Sequence, residues 1–418
     1  MATPRPKRPR GRLAQLQLAK LPVDSAGMGP PGLARIRRRR DVGDAGEGVR
    51  GGPLAAGTLL CASLLVSLLI AESVLRLRFD EVNYLQPELA SHPVLPVVVA
   101  PGSAGHDAWG FRNRVVPERV DVLAIGDSQT YGVSATMDGA WPAWLSRLTG
   151  RDVYSLALGG YGPAEYAYLL RSYAPKLKPR VAVIGLYLGN DLLDAARPPS
   201  PSAVRQKDDV RRLGSLRTWL SRHSLLYQVA KHELPRLADA LRHREASRSG
   251  GALVILQSGD VETAFHPEIR LQALDLMRPR VQDGLGRSLG LLEELRGDCG
   301  RLSLECLFVL IPTKESVYGE VAGEALPKPQ RQRVLAVLRA ESEVRKELVD
   351  FFTRRDMHFV DALPALRAEA ERTRLYPANQ DGHPLSAGYR VVAEVIRGAL
   401  EDSGPTAVSL ARRGRAPL

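Results

Sequence analysis

Short runs rich in Val, Leu and Ile recur at 120–125, 153–158, 181–188, 305–311 and 358–361. Their apolar residues are largely consecutive rather than alternating, the pattern of strands covered on both faces of a parallel sheet. Between them, apolar positions recur at three- and four-residue spacing over 141–148, 164–173, 285–295, 330–352 and 386–400, which predicts helices. Strands alternating with helices predict a doubly wound, three-layer α/β domain over 120–402, preceded by a lead-in at 76–119. Between about 197 and 265 the rhythm breaks into "RPPSPS", a basic helix-like stretch around 219–241, and "REASRSGG". We read this segment as an inserted helical cap, because long loops in compact domains usually serve function.

A different pattern stands nearer the N-terminus. The 18 residues 54–71, LAAGTLLCASLLVSLLIA, carry no charge, and as a helix they extend about 27 Å, close to the hydrocarbon thickness of a bilayer. This predicts a transmembrane anchor over 54–75. A cleaved signal peptide is the rival reading; the run is long for one, and Leu69 suits a cleavage motif poorly. The flank "RIRRRR" at 35–40 holds its own side in the cytoplasm, so the chain beyond Glu72 is expected outside it.

Charge sharpens this picture. The net charge is +12, but residues 1–50 hold 12 Lys/Arg against 4 Asp/Glu, which is +8 and leaves +4 for the rest. The basicity thus belongs to a Pro-, Gly- and Arg-rich cytoplasmic tail over 1–53 that is expected to be disordered, as is 403–418. No groove-reading module accompanies the Arg run, so nucleic acid is not an expected partner. Cys61 lies in the apolar run. Cys299 and Cys306 are seven apart, and two readings stay open: a disulfide in an oxidising compartment, or a buried thiol at a strand start. No Cys/His spacing suggests a metal, and no cofactor is expected.

In doubly wound sheets, ligands bind beyond the carboxyl ends of the strands. Those ends carry "GDSQTYG" with Ser128, "LALGGYG" with Gly160, "LGND" with Asn190, and, before the last helix, "DGH" with Asp381 and His383. Each has a plain structural explanation, as a helix cap, a turn or a core histidine. Four such explanations are needed at once. In this order the four blocks resemble the SGNH (GDSL-like) hydrolase family over roughly 120–400, the cap region unmatched.

The resemblance implies a flavodoxin-like SGNH fold and an acyl-enzyme mechanism. Ser128 would be the nucleophile, activated by His383 as base, with Asp381 orienting the imidazole. The backbone N–H groups of Ser128 and Gly160 and the Asn190 amide would form the oxyanion hole. Two departures from the family pattern stand out. Only Gly382 separates Asp381 from His383, where two residues are usual, so a Ser–His dyad helped by a backbone carbonyl is the alternative. Ser155 and Ala157 occupy positions where Asn and Gly are common, which bears on how the glycine loop is braced.

The leading reading is an extracytoplasmic, membrane-anchored ester hydrolase acting on small acyl esters, including acetyl groups on glycans. The first alternative is an O-acetyltransferase of cell-envelope or exported polysaccharide, with a membrane-bound acyl-donor partner. The second is a non-catalytic glycan-binding or scaffold protein. Trp109 and Phe111 are read as core, Lys314 and Tyr318 as substrate contacts or loop-shaping residues, and Asp127 as a brace for the turn.

Overall fold

The computed structural model describes residues 53–79, 83–197, 213–231, 253–259 and 261–402. The two predicted tails, apart from Pro53, and residues 198–212 and 232–252 of the insertion lie outside the described residues. The apolar run forms a 26-residue helix, α1 (Pro53–Arg78). Its segment Gly57–Arg78 is long and apolar enough to cross a membrane.

Beyond a short antiparallel pair, β1 (Leu89–Ala90) and β2 (Val98–Val99), the central sheet uses β3 (Val122–Gly126), β4 (Val153–Ala157), β5 (Val181–Tyr187), β8 (Glu305–Ile311) and β9 (Phe359–Asp361). Its order is β4-β3-β5-β8-β9, with every pairing parallel. This is the flavodoxin-like 2-1-3-4-5 order, whose switch point falls between β3 and its neighbours β4 and β5. Each predicted strand lies in this sheet.

The strands are apolar throughout because both faces are covered. Leu123 and Ile125, Ala182, Ile184 and Leu186, and Phe308 and Leu310 face one core. Their sequence neighbours Val122 and Ala124, Val181 and Val183, and Leu307, Val309 and Ile311 face the other. The first core is closed by α4 (Pro163–Leu177), α9 (Pro279–Arg301) and α12 (Lys328–Arg354); the second by α3 (Trp141–Thr149), α13 (Leu363–Ala370) and α14 (Ser386–Asp402). Burying one Leu- or Val-sized side chain contributes about 1.5–3 kcal/mol, so the two clusters dominate the fold's stability. Phe111 is buried in the first core, and the partly buried Trp109 packs against that core.

The described part of the insertion holds α6 (Leu213–His223), a helix α7 whose described residues are 225–231, and an antiparallel hairpin of β6 (Val254–Ser258) and β7 (Val261–Phe265). The hairpin is absent from the helical reading of this segment. Val254 and Leu256 are buried while Ile255 and Gln257 are exposed, a period-two alternation that a one-sided hairpin requires. The chain returns to the core through α8 (Pro267–Leu274).

Cys299, in the last turns of α9, is joined to Cys306 of β8 by a disulfide. Closing so short a loop contributes about 2 kcal/mol by restricting the unfolded chain. Replacing both cysteines with serine is expected to lower the unfolding free energy by about that amount, read as a shift in denaturant midpoint with unchanged slope. An unshifted midpoint would contradict this.

Candidate active site

β3 ends at Gly126, and the chain turns at once into α2 (Ser128–Tyr131). Asp127 caps that turn, its Oδ1 accepting the Gln129 N–H at 2.8 Å. Ser128 therefore stands as the first residue of a one-turn helix at the sheet's switch point, with its side chain partly exposed. Burial pushes the Asp127 carboxyl up, against opposing pulls from the Gln129 N–H and His383.

His383 lies 255 residues away along the chain, yet its Nε2 is 2.8 Å from Ser128 Oγ. Its Nδ1 is 2.5 Å from Asp381 Oδ1, and its backbone N–H donates to the same oxygen at 3.0 Å. The hydroxyl has one proton and two acceptors in reach, and Asp127 Oδ2 at 3.2 Å is the more distant. Ser134 Oγ donates to the other oxygen of Asp381. Burial raises the Asp381 carboxyl, but hydrogen bonds from His383 and Ser134 and attraction to the imidazole outweigh it, leaving it at about 2. An alcohol held by an imidazole that is itself held by a carboxylate can lose its proton as it attacks a carbonyl carbon.

The loop bearing Asp381 and His383 is pinned from below. Lys314 opens the short helix α10 (Lys314–Val317) just after β8, and its Nζ donates to the carbonyls of Asn379 at 2.8 Å and Asp381 at 2.9 Å. Lys314 is 1% exposed, and the Tyr318 hydroxyl accepts the Leu375 N–H at 3.1 Å; both residues shape this loop. Gly382, the one residue between Asp381 and His383, is closely covered. A Cβ there would lie 2.3 Å from Arg270 Nη2 and 3.3 Å from the Tyr187 hydroxyl, so the guanidinium occupies the space a side chain would need.

Burial lowers the Lys314 amine from 10.5 to about 8. Between those values the unfolded chain holds the extra proton, so this residue's contribution to stability rises with pH across that window. The destabilisation caused by Lys314→Met is therefore expected to be larger at about pH 10 than at about pH 7, read from denaturant midpoints of both proteins. A difference of opposite sign would refute the assignment.

The glycine loop after β4 lies against Ser128: a Cβ at Gly159 would be 3.6 Å from that of Ser128. Gly160 has φ +85, a conformation that side chains other than glycine's rarely adopt. Asn113 braces the loop's strand, exchanging hydrogen bonds with the Ser155 N–H at 2.9 Å and carbonyl at 3.0 Å. Asn190, after β5, occupies the N-cap position of α5 (Asp191–Ala195), and its side-chain amide donates to Asp194 at 3.0 Å. Asp191 turns inward instead, accepting from the Tyr187 N–H at 2.9 Å and the Tyr166 hydroxyl. The structure thus gathers Ser128, Gly160, Asn190, Asp381 and His383 at one edge of the sheet.

Several residues of this neighbourhood were not read from sequence. Arg197 pairs with Asp194 at 2.8 Å and donates to the Gly160 carbonyl at 2.7 Å, so one Asp–Arg pair holds both the Asn190 amide and the Gly160 peptide. If the Gly160 N–H and the Asn190 amide serve as the expected oxyanion donors, Arg197→Met is expected to lower kcat about tenfold, with KM little changed, because their supports are loosened. A change in KM alone would point to substrate binding instead. Arg112, 7% exposed, donates to the carbonyls of Tyr131, Gly132 and Ala135, holding the turn that presents Ser134. The sequence signal was faint: an Arg beside two core aromatics, and a Ser shortly after the first block.

Among the described residues, no cluster of three or more His, Cys, Asp or Glu side chains is arranged to hold a metal. A cavity of about 570 Å³ is lined by Arg112, Arg114, Tyr131, Arg147 and neighbours, and Ser128 and His383 are not among its lining.

A sequence model described as the GDSL-like Lipase/Acylhydrolase family matches residues 124–391, well over half of the chain. No curated protein matches the chain. Solved structures that resemble it include a member of the lipolytic protein G-D-S-L family from Veillonella parvula DSM 2008, at 12% identity, covering 68% of this chain and 98% of that one, with a TM-score of 0.32. A GDSL-like lipase from Bacteroides thetaiotaomicron VPI-5482 follows at 10% identity, 69% and 93% coverage and a TM-score of 0.32. A catalytic mutant of an acetylxylan esterase from Geobacillus stearothermophilus stands at 13% identity, 68% and 95% coverage and 0.33.

Proposed function

Because the chain belongs to the GDSL-like lipase/acylhydrolase family, we propose that it is a membrane-anchored, extracytoplasmic serine esterase that cleaves small acyl esters through an acyl-enzyme. The observation that carries this reading is the continuous chain of contacts from Ser128 Oγ through His383 to Asp381, at 2.8 and 2.5 Å.

His383 Nε2 takes the Ser128 proton as Oγ attacks the ester carbonyl, and Asp381 stabilises the imidazolium that results. The tetrahedral oxyanion is held by the N–H groups of Ser128 and Gly160 and the Asn190 amide, each donor contributing on the order of 3 kcal/mol. His383 then protonates the departing alcohol. Water, deprotonated by the same imidazole, attacks the acyl carbon, and as the C–Oγ bond breaks His383 returns the proton to Ser128 Oγ and the acid is released. The Cys299–Cys306 disulfide favours an oxidising compartment, and an N-terminal helix able to span a bilayer favours retention at the membrane.

Hydrolysis of p-nitrophenyl acetate by the purified full chain tests the proposal, with an initial burst expected if the acyl-enzyme accumulates. A folded chain without burst or turnover would reject it and leave a glycan-binding or scaffold role. Acetyl groups appearing on an added oligosaccharide would assign transfer to a sugar in place of hydrolysis.

A further inference from the structure

The basic, helix-like stretch around Trp219 plays no part in the chemistry above, yet it is held to α1 by specific contacts. Glu72 is the first charged residue after the apolar run 54–71. Its carboxylate sits at the start of α7, accepting the N–H groups of Leu225 and Leu226 at 2.9 Å each and the Ser224 hydroxyl at 3.0 Å. These N–H groups have no partner within their own helix, so a carboxylate there is doubly favoured. One turn on, Arg76 donates to the His223 carbonyl at 2.6 Å and pairs with Glu72 at 2.9 Å.

These contacts fix a depth. An apolar helical run of about 27 Å fills the hydrocarbon layer, so Glu72 marks its outer boundary. Residues 223–226, bonded to Glu72 and Arg76, lie at that same level. α6 ends at His223, so its C-terminal end is fixed at this level. Its Leu216 and Trp219 are 58% and 55% exposed and sit three apart, on one helix face, and the Trp219 ring lies 5.3 Å from that of His223. Ser221, on another face, is 4% exposed, and its carbonyl accepts the Gln86 N–H at 3.0 Å, tying α6 to the lead-in of the domain.

We propose that α6 lies in the outer interface of the bilayer that α1 crosses, with Leu216 and Trp219 beneath the headgroups and the exposed Arg217 among them. Trp suits this layer because its ring is apolar and its N–H is polar. The partner is a lipid surface, and the attachment makes a second point of contact beside the spanning helix. The inference rests on α1 spanning the membrane and is independent of catalysis.

The full chain carrying Cys61→Ser is reconstituted into nanodiscs of phosphatidylcholine and phosphatidylglycerol, with one environment-sensitive fluorophore attached through Trp219→Cys, Leu65→Cys or Met277→Cys. Met277 is 86% exposed and serves as the solvent reference. Lipids bearing a shallow nitroxide are expected to quench the probe at 219 at least roughly threefold more than that at 277, and lipids bearing a nitroxide deep in the acyl chain to quench the probe at 65. Quenching at 65 with a solvent-like probe at 219 overturns the proposal while α1 still spans. A blue-shifted but unquenched probe at 219 overturns it in favour of a protein covering. If the probe at 65 also escapes quenching, the spanning reading fails and the proposal fails with it.

Discussion

Replacing Ser128 with alanine is expected to lower ester turnover by roughly 10⁴-fold or more, and to abolish the burst, while the fold persists. The change removes one hydroxyl from a partly exposed position, and Asp127 keeps its bond to the Gln129 N–H, so the cap of α2 survives. What disappears is the oxygen that lies 2.8 Å from His383 Nε2. The measurement is kcat beside the thermal midpoint. A variant within about tenfold of wild-type turnover, with an unchanged midpoint, would sink the nucleophile assignment.

Asp381→Asn carries the second-largest expectation, a fall in kcat of about 10³–10⁴-fold. The Asp381 carboxylate accepts two N–H groups of His383 on one oxygen and the Ser134 hydroxyl on the other. Asparagine can keep one acceptor facing the imidazole, but it brings no charge to balance the imidazolium formed in the transition state. The experiment also decides between a triad and a dyad. A loss of less than about tenfold would mean that the histidine manages without the carboxylate, and the short Asp–Gly–His spacing would then be incidental.

How far this was legible from sequence depends on the kind of force involved. The five strands declared themselves because burial on both faces demands unbroken apolar runs, as in 181–187, where every residue is buried. Ser128, Gly160 and Asn190 stood out as candidates because they follow strand ends, where this class of sheet places ligands, and His383 because its block completes the resemblance to a known family. The β6–β7 hairpin was hidden only by its setting: its alternation and the turn at Gly259, with φ +57, were present in the sequence but lay inside a segment dominated by basic and polar residues. Of the supports, Lys314 could be read as a loop-shaping candidate, but the groups it holds could not. Lys314 reaches carbonyls 65 and 67 residues away, and Arg270 matters to Gly382 only through filled space. Nothing in local composition reports such contacts, because they exist only once the sheet has brought β8 beside β9.

The clasp of Glu72 and Arg76 on residues 223–226 has a consequence for how the protein meets its substrate. A domain on a slack tether sweeps a broad volume, and its mouth can approach a target from any side. With α1 spanning a membrane as proposed, the hydrogen bonds of Glu72 and Arg76 at its exit would restrict that swing and hold the edge of the sheet that carries Ser128 near one elevation. Encounters then become a search in two dimensions, and reach is governed by the stature of the domain itself. Substrates that wander out of that shallow layer would go untouched, however well their chemistry suited the serine.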